Sequence, residues 1–187
     1  LFSDEVFVFT PKGDVINLPA GASALLLYEA TTNSYAPLTT GSEINNTVTV
    51  NAEAPCVEGP ITASADLAVG GFTNLSIAKS VSPDTLSSCE EVTYTFIIQN
   101  AGNEAVLATD DLVVSDTFAP ILSNLTVTLN DTPLAVGTGY TYDETTGLFT
   151  TVPGQITVPA ATYTQDPATG EYTVTPGVAT LVVTGTI

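Results

Sequence analysis

Apolar and polar residues alternate along several short stretches of this chain. Val92, Tyr94, Phe96 and Ile98 enclose Thr93 and Thr95, and Leu125, Val127 and Leu129 repeat the pattern. Successive strand side chains point to opposite faces, so this period of two predicts half-buried β-strands. Similar short runs at residues 47–50, 61–69, 112–115 and 179–183 are bounded by Gly, Pro, Asn or Asp and predict further strands. No window carries a helical period, and little or no helix is expected. At the start, EVFVFTPKGDVINLP (residues 5–19) reads as two strands about a turn. Val6 and Val8 oppose Phe7 and Phe9, so both faces are apolar, which suits burial inside an assembly.

One pattern recurs within the chain. YTYDETTGLFTTVPG (residues 140–154) aligns without a gap on YTQDPATGEYTVTPG (residues 163–177). A third, degraded copy is LYEATTNSYAPL (residues 27–38), with Glu29, Thr32, Asn33 and Tyr35 in the places of Asp143, Thr146, Gly147 and Phe149. The repeat predicts a hairpin. Asp143 or Asp166 accepts backbone N–H bonds at the turn, and Gly147, Gly170 or Asn33 supplies a positive φ. Phe149, Tyr172 or Tyr35 then packs the returning strand.

Composition narrows the class. The 187 residues suffice for a core, Gly and Pro punctuate a chain rich in Thr, Val, Ala and Leu, and no run is long enough to cross a membrane. A soluble all-β protein is expected. No secretory or transit signal is visible and Leu1 is not an initiator, which reads as a mature or trimmed chain.

Twenty acidic residues against two basic ones give a net charge of -18. Such a surface repels phosphate backbones and anionic lipid, so neither nucleic acid nor membrane insertion is expected. Solubility in a crowded extracellular layer is one reading of the charge, and calcium is the other. Asp110, Asp111 and Asp116 form the tight acidic cluster, without the spacing of an EF-hand. The chain has no His, Met or Trp, so the commonest general base is missing and no enzyme and no cofactor are expected. Cys56 and Cys89 predict a disulfide in an oxidising compartment, within one chain or between neighbours, with free thiols as the alternative.

NLSIAKSVSPDTLSSCEEVTYTFIIQNAGNEAV (residues 74–106), followed by DLVVSDTFAPIL (residues 111–122), resembles the conserved-repeat domain of bacterial surface proteins, domain of unknown function eleven. The likeness rests on Leu75 to Ser80, Pro83, the Tyr94-Thr95-Phe96 strand, Asn100 and Gly102 in a turn, and Val114 to Thr117. It covers residues 74–187 and implies an immunoglobulin-like antiparallel β-sandwich, used in tandem on cell walls, sheaths and adhesins, with no catalytic residues. The closing strand usual in that family does not follow residues 181–187. A segment of that kind stands earlier, at INNTVTVNAEAPC (residues 44–56), where it would close a preceding repeat. That segment would either fold over its own sandwich or complete another molecule's, since an unpaired sheet edge is a template for strand addition.

Three regions are therefore expected: a strand or hairpin extension (1–23), a partial repeat or strand-donating segment (24–73) and the sandwich (74–187). Residues 1–23 also resemble the first hairpin of the TGS domain in the RelA/SpoT alarmone synthetase-hydrolases, with Pro11 to Asp14 as its turn. A helix follows in that family, where this chain continues as the degraded hairpin, and the synthetase and hydrolase segments have no counterpart here. The resulting expectation is a cell-surface structural subunit or spacer in a filament or stalk. Its partners would be copies of itself or neighbouring repeats, with Phe7, Phe9, Val48 and Val50 as strand donors. The alternatives are an adhesin module for a carbohydrate or host-protein ligand and a TGS-type regulatory fragment. Lys79 adds the idea of an isopeptide to Asn45 or Asn46, with Asp116 or Glu91 as proton shuttle; an exposed lysine is the plainer reading. Asn45, Asn74, Asn124 and Asn130 stand in glycan-acceptor triplets.

Overall fold

A computed structural model of the chain describes residues 18–51, 59–85 and 91–187. The first strands, β1 (Glu43–Val50) and β2 (Ile61–Ala68), pair only with each other. There follow β3 (Leu75–Ser82), β4 (Glu91–Asn100), β5 (Ser115–Thr117), β6 (Ser123–Leu129) and β7 (Thr132–Leu134). The chain continues through β8 (Tyr140–Asp143), β9 (Leu148–Thr151), β10 (Thr162–Gln165), β11 (Tyr172–Thr175) and β12 (Gly177–Thr186). Every pairing between these strands is antiparallel. Among the described residues the one helical element is a 3-10 turn, Ala108–Asp110. The protein is all-β.

Two sheets enclose the core. The larger has the order β3-β4-β12-β6-β7, the smaller β5-β9-β8. β12 lies at the centre of the larger sheet because Ala179, Leu181 and Val183 alternate with polar or partly exposed neighbours and are fully buried. On β4, Phe96 and Ile98 point the same way, and Phe118, Phe149, Ile156 and Val158 meet them from the other side. Phe118 stands 4.8 Å from the Tyr94 ring and 5.9 Å from that of Phe149, centroid to centroid, a seam of tilted aromatic rings between the layers.

The two intact repeats fold as the expected hairpins, β8–β9 and β10–β11. In the first, Gly147 has φ +77° and its N–H donates to the Asp143 carbonyl at 2.8 Å. In the second, Gly170 has φ +77° and bonds Asp166 in the same way at 2.6 Å. Their surroundings differ: Phe149 is fully buried, whereas its counterpart Tyr172 is half-exposed in a separate two-stranded sheet.

Three expectations are corrected. Residues 27–38 do not form a hairpin. Asn33 lacks the positive φ that Gly supplies in the other copies and closes a single turn instead, its side chain accepting the Tyr35 N–H at 3.1 Å. The strand expected at residues 112–115 starts only at Ser115; Val114 is buried but bonds Thr151 through side-chain and backbone groups rather than a regular ladder. Residues 44–50 do not fold over the sandwich, because β1 takes β2 as its partner along eight residues. A connection the periodicity did not predict joins β6 to β7 through Asn130 and Asp131, both at positive φ (47° and 62°), as a two-residue hairpin requires.

Candidate functional site: an apolar hairpin face and an open sandwich side

Directly opposed residues of an antiparallel pair point to the same face. The β1–β2 register sets Ile44 beside Leu67, Val48 beside Ala63 and Val50 beside Ile61, so one face of this hairpin is almost wholly apolar. Asn46, beside Ala65, is its polar exception, and its side-chain amide bonds the Tyr28 hydroxyl. The other face carries Asn45 bonded to Asp66 at 2.5 Å and Thr47 bonded to Ser64 at 2.9 Å. The apolar face is nonetheless uncovered: Leu67 is 63% exposed, and Val48, Val50 and Ile61 are each more than half exposed.

A second uncovered apolar strip lies on the sandwich. In the β3–β4 register Ile77 opposes Ile98, Lys79 opposes Phe96 and Val81 opposes Tyr94. Leu75, Ile77, Lys79 and Val81 therefore share the inward face of the large sheet. Phe96 and Ile98 are buried there, yet Ile77 is 58% and Val81 44% exposed. The cause is the unequal width of the layers. Five strands face three, β3 is an edge of the first and β5 an edge of the second. Beyond β5 nothing among the described strands covers β3.

Lys79 marks the boundary of that open side. Its Nζ pairs with the Asp116 carboxylate on β5 and lies 4.8 Å from the Tyr94 ring centroid, 5.5 Å from that of Phe96 and 5.6 Å from that of Phe118. An ammonium on aromatic faces and against a carboxylate ties the edge strands of the two layers together. Of the groups named for a cross-link, the structure brings together Lys79 and Asp116. Asn45 and Asn46 have their own partners on the hairpin face and in Tyr28.

Two asparagines organise the junction after β4: Asn100, its last residue, braces the turn within the sandwich, and Asn103 ties the hairpin to it. Buried Asn100 accepts from the N–H groups of Asn74 (3.1 Å) and Gly102 (2.9 Å) and donates to the carbonyls of Glu104 (2.7 Å) and Pro159 (3.1 Å). Asn103 donates to the carbonyls of Leu38 (2.8 Å) and Gly70 (3.0 Å) and accepts from the Phe72 N–H (2.8 Å), so it grips the chain on both sides of the hairpin. Gly102 between them has no room for a side chain: a Cβ would strike the Phe72 carbonyl oxygen. Asn100 and Gly102 were expected in a turn; Asn103 was not singled out, although it follows them at once in NAGN.

The three clustered acids are placed separately, with Asp111 ending the 3-10 turn at positive φ (52°). Asp110 accepts the Leu107 N–H at 2.7 Å, Asp116 holds Lys79, and no group of three metal-ligating side chains occurs among the described residues. Asp143 accepts from the Thr145 hydroxyl (2.6 Å), the Thr145 N–H (2.8 Å) and the Thr146 hydroxyl (2.8 Å), which pull its pKa down to about 2. Asp166 is lowered too, chiefly by the Ala168 N–H. These carboxylates are turn acceptors. Of the proposed strand donors, Val48 and Val50 lie on the exposed hairpin face, while Phe7 and Phe9 lie outside the described residues, as do Cys56 and Cys89 and hence their disulfide. A scan against protein-family models and searches of curated proteins and of solved structures returned no significant match.

Proposed function

We propose that this chain is a non-catalytic, extracellular structural protein of a bacterial cell surface, a subunit or spacer of a fibre or stalk that assembles by β-strand complementation. One observation carries the reading: the same molecule exposes a strand pair with one apolar face and a sandwich edge whose inward face is uncovered. Large uncovered apolar strips on a soluble protein mark interaction surfaces, and free strand edges recruit strands. The likeness of residues 74–187 to tandem surface-protein repeats and the charge of -18, which keeps unassembled copies apart, support the same reading. Negative-stain electron microscopy of the purified protein at neutral pH without reductant tests it. Uniform fibres are the expected outcome; dispersed single particles at every concentration would sink the proposal.

A further inference from the structure

The two uncovered strips fit one another. Five strands in one layer against three in the other leave the inward face of β3 uncovered among the described residues, and β1–β2 is a two-stranded layer short of a core. We infer that the open side between β3 and β5 is an acceptor for the β1–β2 hairpin of a second copy of this chain. The inference rests on the structural-subunit reading and names the surfaces through which it would work.

The geometry matches in three respects. β1, β2 and β3 are each eight residues long, so the hairpin face, about 27 Å by 10 Å, spans the uncovered strip. The hairpin is apolar on one side and polar on the other, the pattern of an outer sandwich layer: Val48, Val50, Ile61 and Leu67 would meet Leu75, Ile77 and Val81, while Asn45, Thr47 and Ser64 would face water. One strand of the hairpin would also extend the small sheet along the free edge of β5. Charge selects the same pair of surfaces. In a chain of net charge -18, neither strip carries an unpaired carboxylate, and the charges at the acceptor, Lys79 and Asp116, already neutralise each other. Two copies can therefore meet here without opposing carboxylates. Donor and acceptor are different surfaces, so a head-to-tail contact leaves one donor and one acceptor free on every pair, and association continues until a ring closes or a filament grows.

The test uses the full chain, analysed by sedimentation velocity across a concentration series, in low salt and at about 0.5 M salt, where charge repulsion is screened. The wild type is expected to associate with rising concentration, more strongly in high salt. Ile77→Asp removes the acceptor and Leu67→Asp the donor, and both change exposed side chains, with Val81→Asp and Val48→Asp as second variants and thermal melts as the check on folding. Each variant alone is expected to remain monomeric, whereas an equimolar mixture of I77D and L67D forms a dimer that grows no further, because one intact donor meets one intact acceptor. If fibres or oligomers survive both substitutions, the subunit reading stands and this interface is wrong. A mixture that stays monomeric while the wild type associates also overturns it. Association that appears only after deletion of residues 1–17 would assign the open side to the chain's own terminus and overturn the second-copy occupant. A wild type monomeric under all conditions would remove both readings.

Discussion

Asp143 shows how one side chain organises a turn in a protein with little else to spend on capping. Three donors from Thr145 and Thr146 converge on its carboxylate and stabilise the charged form, so its pKa falls to about 2. Because the folded-state value lies below the unfolded value of about 4, the stability this group contributes is fully present above about pH 4 and is lost as pH falls through about 2. Asp143→Ala is therefore expected to melt at a lower temperature than the wild type at neutral pH, with the difference shrinking between pH 4 and pH 2. Thermal melts across that window check it; a difference independent of pH would mean that the carboxylate's charge is not what the turn uses.

Among the elements, the β1–β2 hairpin is attached to the sandwich through the segments that flank it, with Asn103 as a shared partner. Asn103 bridges Leu38, Gly70 and Phe72, and Val69 bonds Ser42 at the hairpin's base. Truncating Asn103 leaves two carbonyls and one N–H without their partner, a loss of order 1–3 kcal/mol if they stay shielded from water. Asn103→Ala is expected to loosen residues 38–72 while the two-layer core persists. Hydrogen exchange would show faster exchange across β1 and β2 and protection retained in β4 and β12; uniform acceleration over all four strands would refute a local anchor. The outcome bears on function, since the proposed donor has to be presented by this attachment.

For the molecule as a whole, stability resides between the five- and three-stranded layers. Phe149 is fully buried in the aromatic seam, and Phe149→Ala is expected to cost about 3–5 kcal/mol. The equivalent residue of the second repeat, Tyr172, sits in a peripheral hairpin, and Tyr172→Ala should cost clearly less. Urea denaturation of the two variants compares them directly, and equal losses would contradict the division between core and peripheral copies.

Features governed by neighbours in the chain were legible from the amino-acid order. Alternation around Phe96 and Val127, the Asp–Gly turns of the two intact repeats and the near-absence of helix follow from side-chain parity and from backbone preferences within a few residues, which tertiary contacts did not override here. Long-range pairing was not legible in the same way. β1 could extend the sandwich or pair with β2 on equal local grounds, and its choice rests on the complementary register of two eight-residue strands. The third repeat copy kept its spacing but lacked a glycine and a facing strand, so it closed only a turn. Lys79 and Asp116 are 37 positions apart, and only the stacking of β3 over β5 brings them together. That same stacking of unequal layers decided which apolar residues became core and which stayed exposed. Alternation states that one strand face is apolar; whether another layer covers that face is settled by the number and order of strands in space.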